Sequence, residues 1–397
     1  MIRKIAQLRH QNPHRWAALL CFLTAFGVLS SPAKAADPDL SAMNELGVNL
    51  KGNLVNYKKR SALQFFHAAY ADSWMRPLRI IHFGDSHVQP GISSGRLRQE
   101  LQQRLGDAGY GMMFPYSVAG ARDPIDYFAE HTGEWECGLS RRLPPTVPLG
   151  ILGMACRTID REASFTLRFK IPVSTEWRNI RLFVKRADRP IRLVVSSAGH
   201  RVPVTVHPAS SAERNRPIDV QIPAFDGTLS VRLARRLPAD TAFEFYGLSL
   251  ESVNKRGAIV DMAGVGATRF RAQLNAAYLD DHLKALKPSL MIVDYGTNEY
   301  LYDDVLKPTL EAQITEVIQR LKRAVPTASI LLTTTQDLAY KGETVTSGPQ
   351  FAGMIRHIAQ KMQVAWYNWF HISGGIQSIF RWTELGYAQK DNIHLTM

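Results

Sequence analysis

Five residues of this 397-residue chain could together carry out nucleophilic acyl transfer. Ser86 sits in Gly84-Asp85-Ser86-His87-Val88-Gln89, directly after the apolar run Ile80-Ile81-His82-Phe83. A serine at such a strand exit has backbone N–H groups beside it and a helix N-terminus behind it, and both suit an attack that creates an oxyanion. Near the other end, Asp391-Asn392-Ile393-His394 supplies a general base in His394 and a carboxylate that can orient the imidazole through its other nitrogen. Gly266, in Ala263-Gly264-Val265-Gly266-Ala267-Thr268, offers a backbone N–H, and Asn298, in Gly296-Thr297-Asn298-Glu299, a side-chain amide. With the N–H of Ser86 they could form an oxyanion hole. No metal and no cofactor is called for. Taken singly, each residue has a plainer role: Ser86 a helix cap, Gly266 a turn glycine, Asn298 a cap, Asp391 and His394 a solvated loop. Their succession, each at a strand exit or in the terminal loop, favours the shared site.

The elements that must hold these residues alternate between helix and strand. The pattern predicts a helix over Leu54–Ser73, then a strand running to Ser86. A helix with Leu97, Leu101 and Leu105 at i, i+4 spacing follows and stops at Gly106. Helix–strand alternation resumes after Asn254. Strands are expected over Ile259–Met262, Leu290–Tyr295, Ser329–Thr335 and Val364–Trp369, and helices over Phe270–Leu286, Leu310–Ala324 and Phe351–Met362. The continuous apolar strands are those of a parallel sheet, which predicts a three-layer α/β domain. In such sheets ligands bind beyond the carboxyl ends of the strands, where Ser86, Gly266 and Asn298 all fall. Between Cys137 and Asn254 the texture changes to short runs with period-two alternation, such as Ser164-Phe165-Thr166-Leu167-Arg168-Phe169. Turns every 8–12 residues or so suggest an all-β sandwich inserted into the α/β domain. Gly109–Tyr116, rich in glycine and aromatics, reads as a loop, either lining a substrate groove or anchored by its rings.

The four blocks Gly84-Asp85-Ser86, Gly266-Ala267-Thr268, Gly296-Thr297-Asn298-Glu299 and Asp391-Asn392-Ile393-His394 resemble those of the SGNH/GDSL hydrolase superfamily. The resemblance implies a flavodoxin-like α/β/α domain with Ser86, Asp391 and His394 as catalytic triad, and Ser86, Gly266 and Asn298 as oxyanion hole. Gly-Asp-Ser-His-Val-Gln in a chain with a β-rich insert between the first and second blocks is similar to the peptidoglycan O-acetylesterases of Gram-negative bacteria. There the insert is a carbohydrate-binding-like jelly roll. The implied function is an exported serine esterase acting on O-acetylated peptidoglycan or a related acetylated polysaccharide. The alternatives are an O-acetyltransferase using the same site and a wall-binding protein with a weak triad. The implied organisation is a signal peptide over residues 1–35, a hydrolase domain over 37–130 and 255–397, and the insert over 131–254. Two departures stand out. Glu299 replaces the usual Asp after the Asn, and the sequence ends three residues after His394, where the family continues into a last helix, so a truncated domain is expected.

Composition agrees with export. Arg3, Lys4, Arg9 and Arg15 precede an uncharged apolar stretch over Trp16–Leu29, and Ala33-Lys34-Ala35 forms a small-x-small cleavage signal. The apolar stretch is shorter than the roughly 20 residues of a membrane span, and Cys21 lacks the small neighbours of a lipid attachment site. A soluble periplasmic protein without stable membrane insertion is therefore expected. The formal charge is +13; five cations and no acid lie in the leader, leaving +8 on the mature chain. That surplus suits an anionic wall polymer or simple solubility. The export signal and the lack of a basic run interleaved with aromatics argue against nucleic acid. Cys137 and Cys156 remain after cleavage, and in an oxidising compartment a disulfide between them is the simplest reading.

Overall fold

The computed structural model describes residues 40–396, apart from 212, 235, 236 and 238–240. The expected leader, with Cys21, lies outside the described residues. The chain divides into two compact units. One comprises Leu63–Val293 and Gln313–Ile330; the other comprises the described residues through Ala62, Asp294–Ala312 and Leu331 onward.

The first unit is built on a parallel pair. Strand β1 (Leu78–Gly84) is buried at every position and leads through a turn into helix α1 (Ile92–Leu105). Strand β2 (Ala258–Gly264) runs parallel to it in register from Leu78↔Ala258 to Gly84↔Gly264. The two strands therefore end at the same level, and the turns that follow them emerge side by side. Helix α2 (Leu279–Leu286) precedes strand β3 (Leu290–Asp294), the neighbour of β1 on its other side. Helix α3 (Leu310–Ala324) buries Ile314, Val317, Ile318 and Leu321 at i, i+3, i+4, i+7 spacing, the stripe an amphipathic helix turns to a core.

Between Gly109 and Ser252 this unit is antiparallel. One sheet runs Ile218–Gln221, Trp177–Val184, Phe243–Ser252, Met154–Thr158, Glu136–Leu139, and Gly109–Met113 also pairs with Phe243–Ser252. The other runs Tyr127–Thr132, Ser164–Phe169, Thr228–Leu233, Ile191–Ser197, His200–Val206. Strand Ile191–Ser197 buries every second side chain, as its alternating sequence requires. Phe165 of one sheet meets Phe245 of the other with ring centroids 4.8 Å apart. Cys137 lies opposite Cys156 on adjacent strands, and the two form a disulfide.

Three elements differ from the sequence expectation. Gly109–Met113 is a buried strand rather than a loop, and Tyr110, Phe114 and Tyr116 are core residues. Glycine is required there because a Cβ at Gly109 would fall 2.5 Å from Glu251 Cα and one at Gly111 2.6 Å from Asp261 Oδ1. The helix expected over Leu54–Ser73 is confined to Gln64–Ala71, preceded by a 3₁₀ turn over Arg60–Leu63. Asn56 instead exchanges both backbone hydrogen bonds with Trp366, which commits it to extended geometry. The helix expected over Phe270–Leu286 is broken into Ala272–Asn275 and α2, because the Tyr278 N–H donates to the Leu149 carbonyl.

In the second unit, the last residues of strand β4 (Ser329–Thr333) pair in parallel with strand β5 (Ala365–Tyr367), from Leu331↔Ala365 to Thr333↔Tyr367. Helix α4 (Gly348–Met362) lies between them in sequence and buries Phe351, Ile355 and Ile358. Helix α5 (Ser378–Glu384) leads into the final loop. No helix among the described residues is long and apolar enough to cross a membrane.

A buried ion cluster joins the parallel and antiparallel parts of the first unit. Arg79, on β1, donates through Nη1 to both carboxylate oxygens of Asp261 at 3.0 and 2.9 Å and through Nη2 to Glu251. Asp261 also accepts the Met112 N–H at 2.8 Å, and Ser249 donates to Glu251 at 2.8 Å. Burial disfavours the guanidinium charge, but the two carboxylates more than offset it and raise the Arg79 pKa above its ordinary value. Removing the cation leaves two buried carboxylates facing each other. Arg79→Met is therefore expected to cost about 3–5 kcal/mol, read as a lowered urea midpoint.

His282, on α2, is fully buried against the rings of Phe183 and Tyr246, at centroid distances of 4.9 and 5.5 Å. Its Nδ1 accepts the Ile151 N–H at 3.2 Å, and Nε2 has no hydrogen-bond partner. Burial pushes its pKa down to about 3. An unfolded histidine takes up a proton near pH 6.5 or so, which the folded one refuses. Stability from this site is complete above that pH and lost as pH falls toward 3. His282→Gln, which cannot titrate, should lose less melting temperature than the unaltered protein between pH 6.5 and 4.

Candidate active site

Ser86 lies in the turn between β1 and α1, half-buried. The turn is a single helical loop on Asp85, whose carbonyl accepts the N–H of Val88 at 3.2 Å and of Gln89 at 3.0 Å. The Asp85 carboxylate braces it from inside, accepting the His87 N–H at 3.0 Å and His87 Nδ1 at 2.9 Å. Asp85 is thus a brace of the turn that carries Ser86. The turn sits directly on the end of β2. A Cβ at Gly264 would fall 2.3 Å from Gln89 N, so only glycine fits, and Val265 N–H donates to the Gly84 carbonyl at 3.1 Å. This packing brings Gly266 beside the serine: a Cβ built on Gly266 lies 3.8 Å from Ser86 Cβ. The Gly266 N–H donates to the side-chain oxygen of Gln89 at 2.6 Å.

Asn298, Asp391 and His394 belong to the second unit. Asn298 is buried in the short helix Thr297–Tyr300 that follows β3. Gly296, before it, has φ +148°, and a Cβ there would fall 2.5 Å from Phe351 Cε1 and 2.7 Å from Thr335 Cγ2. The Tyr300 hydroxyl and Thr335 Oγ1 are hydrogen-bonded at 2.8 Å, and the Tyr300 ring packs on Phe351 at 5.2 Å. The loop carrying Asn298 is therefore wedged against the polar run that leaves β4.

That same run holds the terminal loop. Gln336 Nε2 donates to the Ile393 carbonyl at 2.7 Å, and Ala339 N–H to the Asn392 carbonyl at 3.0 Å. Asn392 takes the left-handed conformation, φ 56°, which asparagine tolerates, and its side chain accepts from Thr383 at 2.7 Å. The resulting bend lets Asp391 gather three donors. Its Oδ1 accepts the N–H of Ile393 at 2.9 Å and of His394 at 3.0 Å, and its Oδ2 pairs with His394 Nδ1 at 2.7 Å. Burial works against the Asp391 charge, but the bonds from the His394 ring and from the two N–H groups outweigh it and hold the pKa below the usual carboxylate range. An ionised carboxylate on Nδ1 places the exchangeable ring position at Nε2, as a general base requires.

The structure thus brings Ser86 to Gly266, and Asp391 to His394, each within its own unit, and sets Asn298 in the unit that holds Asp391 and His394. The sequence reading overlooked three contributors. Gln89 stands three residues after Ser86 in the same block. Thr335 and Gln336 belong to the polar run Thr333-Thr334-Thr335-Gln336-Asp337 at the exit of an apolar strand, a position where polar residues signal a site.

No protein-family model matches the chain, and no curated protein is significantly similar to it. Among solved structures, the fold is similar to that of a peptidoglycan O-acetylesterase, with TM-score 0.67 and 21% identity over 86% of this chain and 92% of that one. The fold resemblance expected from the sequence is met: an α/β domain with a parallel sheet, accompanied by antiparallel sheets. Weaker likenesses join the chain to a family two carbohydrate esterase from Cellvibrio japonicus (TM-score 0.24, 10% identity, 61% of this chain and 89% of that one) and to an acetylxylan esterase from Geobacillus stearothermophilus (0.28, 15%, 36% and 68%). At those scores they carry no argument.

The wedge at Gly296 is testable. Gly296→Ala combines a positive φ with a clash against Phe351 and should cost about 1–3 kcal/mol by overpacking, measured by urea unfolding. Gly353→Ala, on α4 with open space around its Cα, serves as the neutral control.

Proposed function

We propose that the chain is an exported serine esterase that removes O-acetyl groups from peptidoglycan. The observation that carries the reading is the 2.7 Å bond between an ionised Asp391 and His394 Nδ1, in a chain whose serine follows a buried strand beside a glycine turn. Ser86 Oγ attacks the acetyl carbonyl carbon while His394 Nε2 takes its proton. Asp391 stabilises the imidazolium. The N–H groups of Ser86 and Gly266 and the amide of Asn298 receive the oxyanion. Collapse breaks the bond to the sugar oxygen, which leaves as the alcohol with the proton from His394. Water, deprotonated by the same imidazole, then releases acetate and restores Ser86. The similarity in fold to a peptidoglycan O-acetylesterase supports this substrate.

In this reading the hydrolase is a three-layer SGNH domain over 37–130 and 255–397. The insert over 131–254 is a carbohydrate-binding jelly roll, and the leader delivers the protein to the periplasm. The disulfide between Cys137 and Cys156 supports an oxidising compartment.

The test is acetate release from O-acetylated peptidoglycan. Ser86→Ala should reduce it to background. Asp391→Asn, which keeps the shape but removes the charge that orients the base, should lower kcat by about 10³–10⁴-fold. Near-normal acetate release by Ser86→Ala would refute the mechanism.

A further inference from the structure

One donor of the proposed oxyanion hole is already engaged. The Gly266 N–H donates to Gln89 Oε1 at 2.6 Å, and the same amide donates through Nε2 to the Arg122 carbonyl at 2.6 Å. Gln89 is 8% exposed. Its backbone is fixed by the bond to the Asp85 carbonyl and by the close approach to Gly264, so only its side chain is free to turn. Its far anchor is a carbonyl of an exposed loop residue, Arg122. A Cβ built on Gly266 lies 3.0 Å from Gln89 Oε1 and 3.8 Å from Ser86 Cβ. The amide oxygen therefore shares the space over Gly266 with the nucleophile. A single N–H makes one strong, near-linear hydrogen bond, so an acyl oxygen carried by Ser86 competes with Gln89 for it.

We propose that Gln89 is a positioning residue that occupies the oxyanion hole of the resting enzyme and yields it to the acyl carbonyl oxygen of the substrate. This rests on the assignment of Ser86 and Gly266 above. The neutral amide oxygen keeps the Gly266 N–H paired when no ester is bound. The entering ester oxygen replaces it on the same N–H as one neutral acceptor for another, and the bond roughly doubles in strength only as the oxyanion develops. Displacement of Gln89 is a cost borne on substrate entry, so it falls on KM rather than on kcat. Substrates whose carbonyl oxygen reaches the Gly266 N–H are selected over those that merely approach the serine.

Kinetics with p-nitrophenyl acetate and inactivation by phenylmethanesulfonyl fluoride, whose sulfonyl oxygens need the same hole, test this. Gln89→Ala should lower KM several-fold with kcat within about twofold, and should speed inactivation several-fold. Gln89→Glu, whose carboxylate binds the N–H more tightly, should raise KM and slow inactivation by tenfold or more. If Gln89→Ala fails to fold, Gln89→Asn replaces it, since its amide is one methylene too short to hold the bond. A fall in kcat with slower inactivation in Gln89→Ala, or no change in either constant, would overturn the proposal. Ser86→Ala, assayed alongside, separates the two readings: activity that survives it refutes the esterase mechanism itself, whereas its loss together with an unaltered Gln89→Ala refutes only the role of Gln89.

Discussion

A cation buried in the first unit ties its two kinds of sheet together. Arg79 enters the sequence as the second residue of β1, among apolar neighbours, where an unpaired charge would be prohibitive. It is tolerated because Asp261 on β2 and Glu251 on the long antiparallel strand converge on it, with Ser249 and the Met112 N–H completing the shell. The cluster fixes β1 against β2 laterally and against the antiparallel strands at once. Since Ser86 lies seven residues after Arg79 and two past the last register pair, Gly84↔Gly264, the serine's turn inherits its position from this anchoring. A lysine's compact ammonium lacks the planar fork through which Arg79 reaches Asp261 with one nitrogen and Glu251 with the other.

Two places where side chains are forbidden do the fine positioning. Gly264 allows the backbone of the serine turn to rest on the end of β2, which places Gly266 beside Ser86. Gly296 allows the Asn298 loop to rest on Phe351 and Thr335, at the start of the polar run that also grips the terminal loop. Close backbone approach, rather than loop flexibility, therefore sets each of these two loops. The terminal loop adds its own constraint: the left-handed Asn392 folds the chain back so that Asp391 can bind two backbone N–H groups and the imidazole together. A carboxylate held by three donors stays ionised and keeps one orientation toward the His394 ring.

Periodicity made the regular elements legible. Helix α3 begins and ends where the sequence pattern places it, and the period-two runs between Ser164 and Leu250 are strands within a residue or two. Local pattern failed where partners distant in sequence took the backbone's hydrogen bonds. Asn56 is extended because Trp366 accepts and donates there, and the Ala276–Tyr278 break exists because of Leu149. Gly109–Met113 looks like a loop by composition, since two glycines in five residues weaken any strand signal. Those glycines are there to let the strand pass Glu251 and Asp261, neither of which the local sequence reveals.

The sequence by itself determined the chemistry on offer. A serine after a buried strand, a glycine turn, an asparagine at a strand exit and an Asp-x-x-His loop are local features, and local spacing is enough to state what reaction they suit. The pairing of Cys137 with Cys156 was likewise readable from residue type and order. Only the tertiary structure decided which of these residues are neighbours and what already occupies them. Register between β1 and β2 makes Ser86 and Gly266 adjacent, although 180 positions separate them. The occupation of the Gly266 N–H by Gln89 arises from that same adjacency. Hydrogen bonds between residues far apart in the chain depend on where the backbone returns, and that is set by the packing of whole strands rather than by any motif.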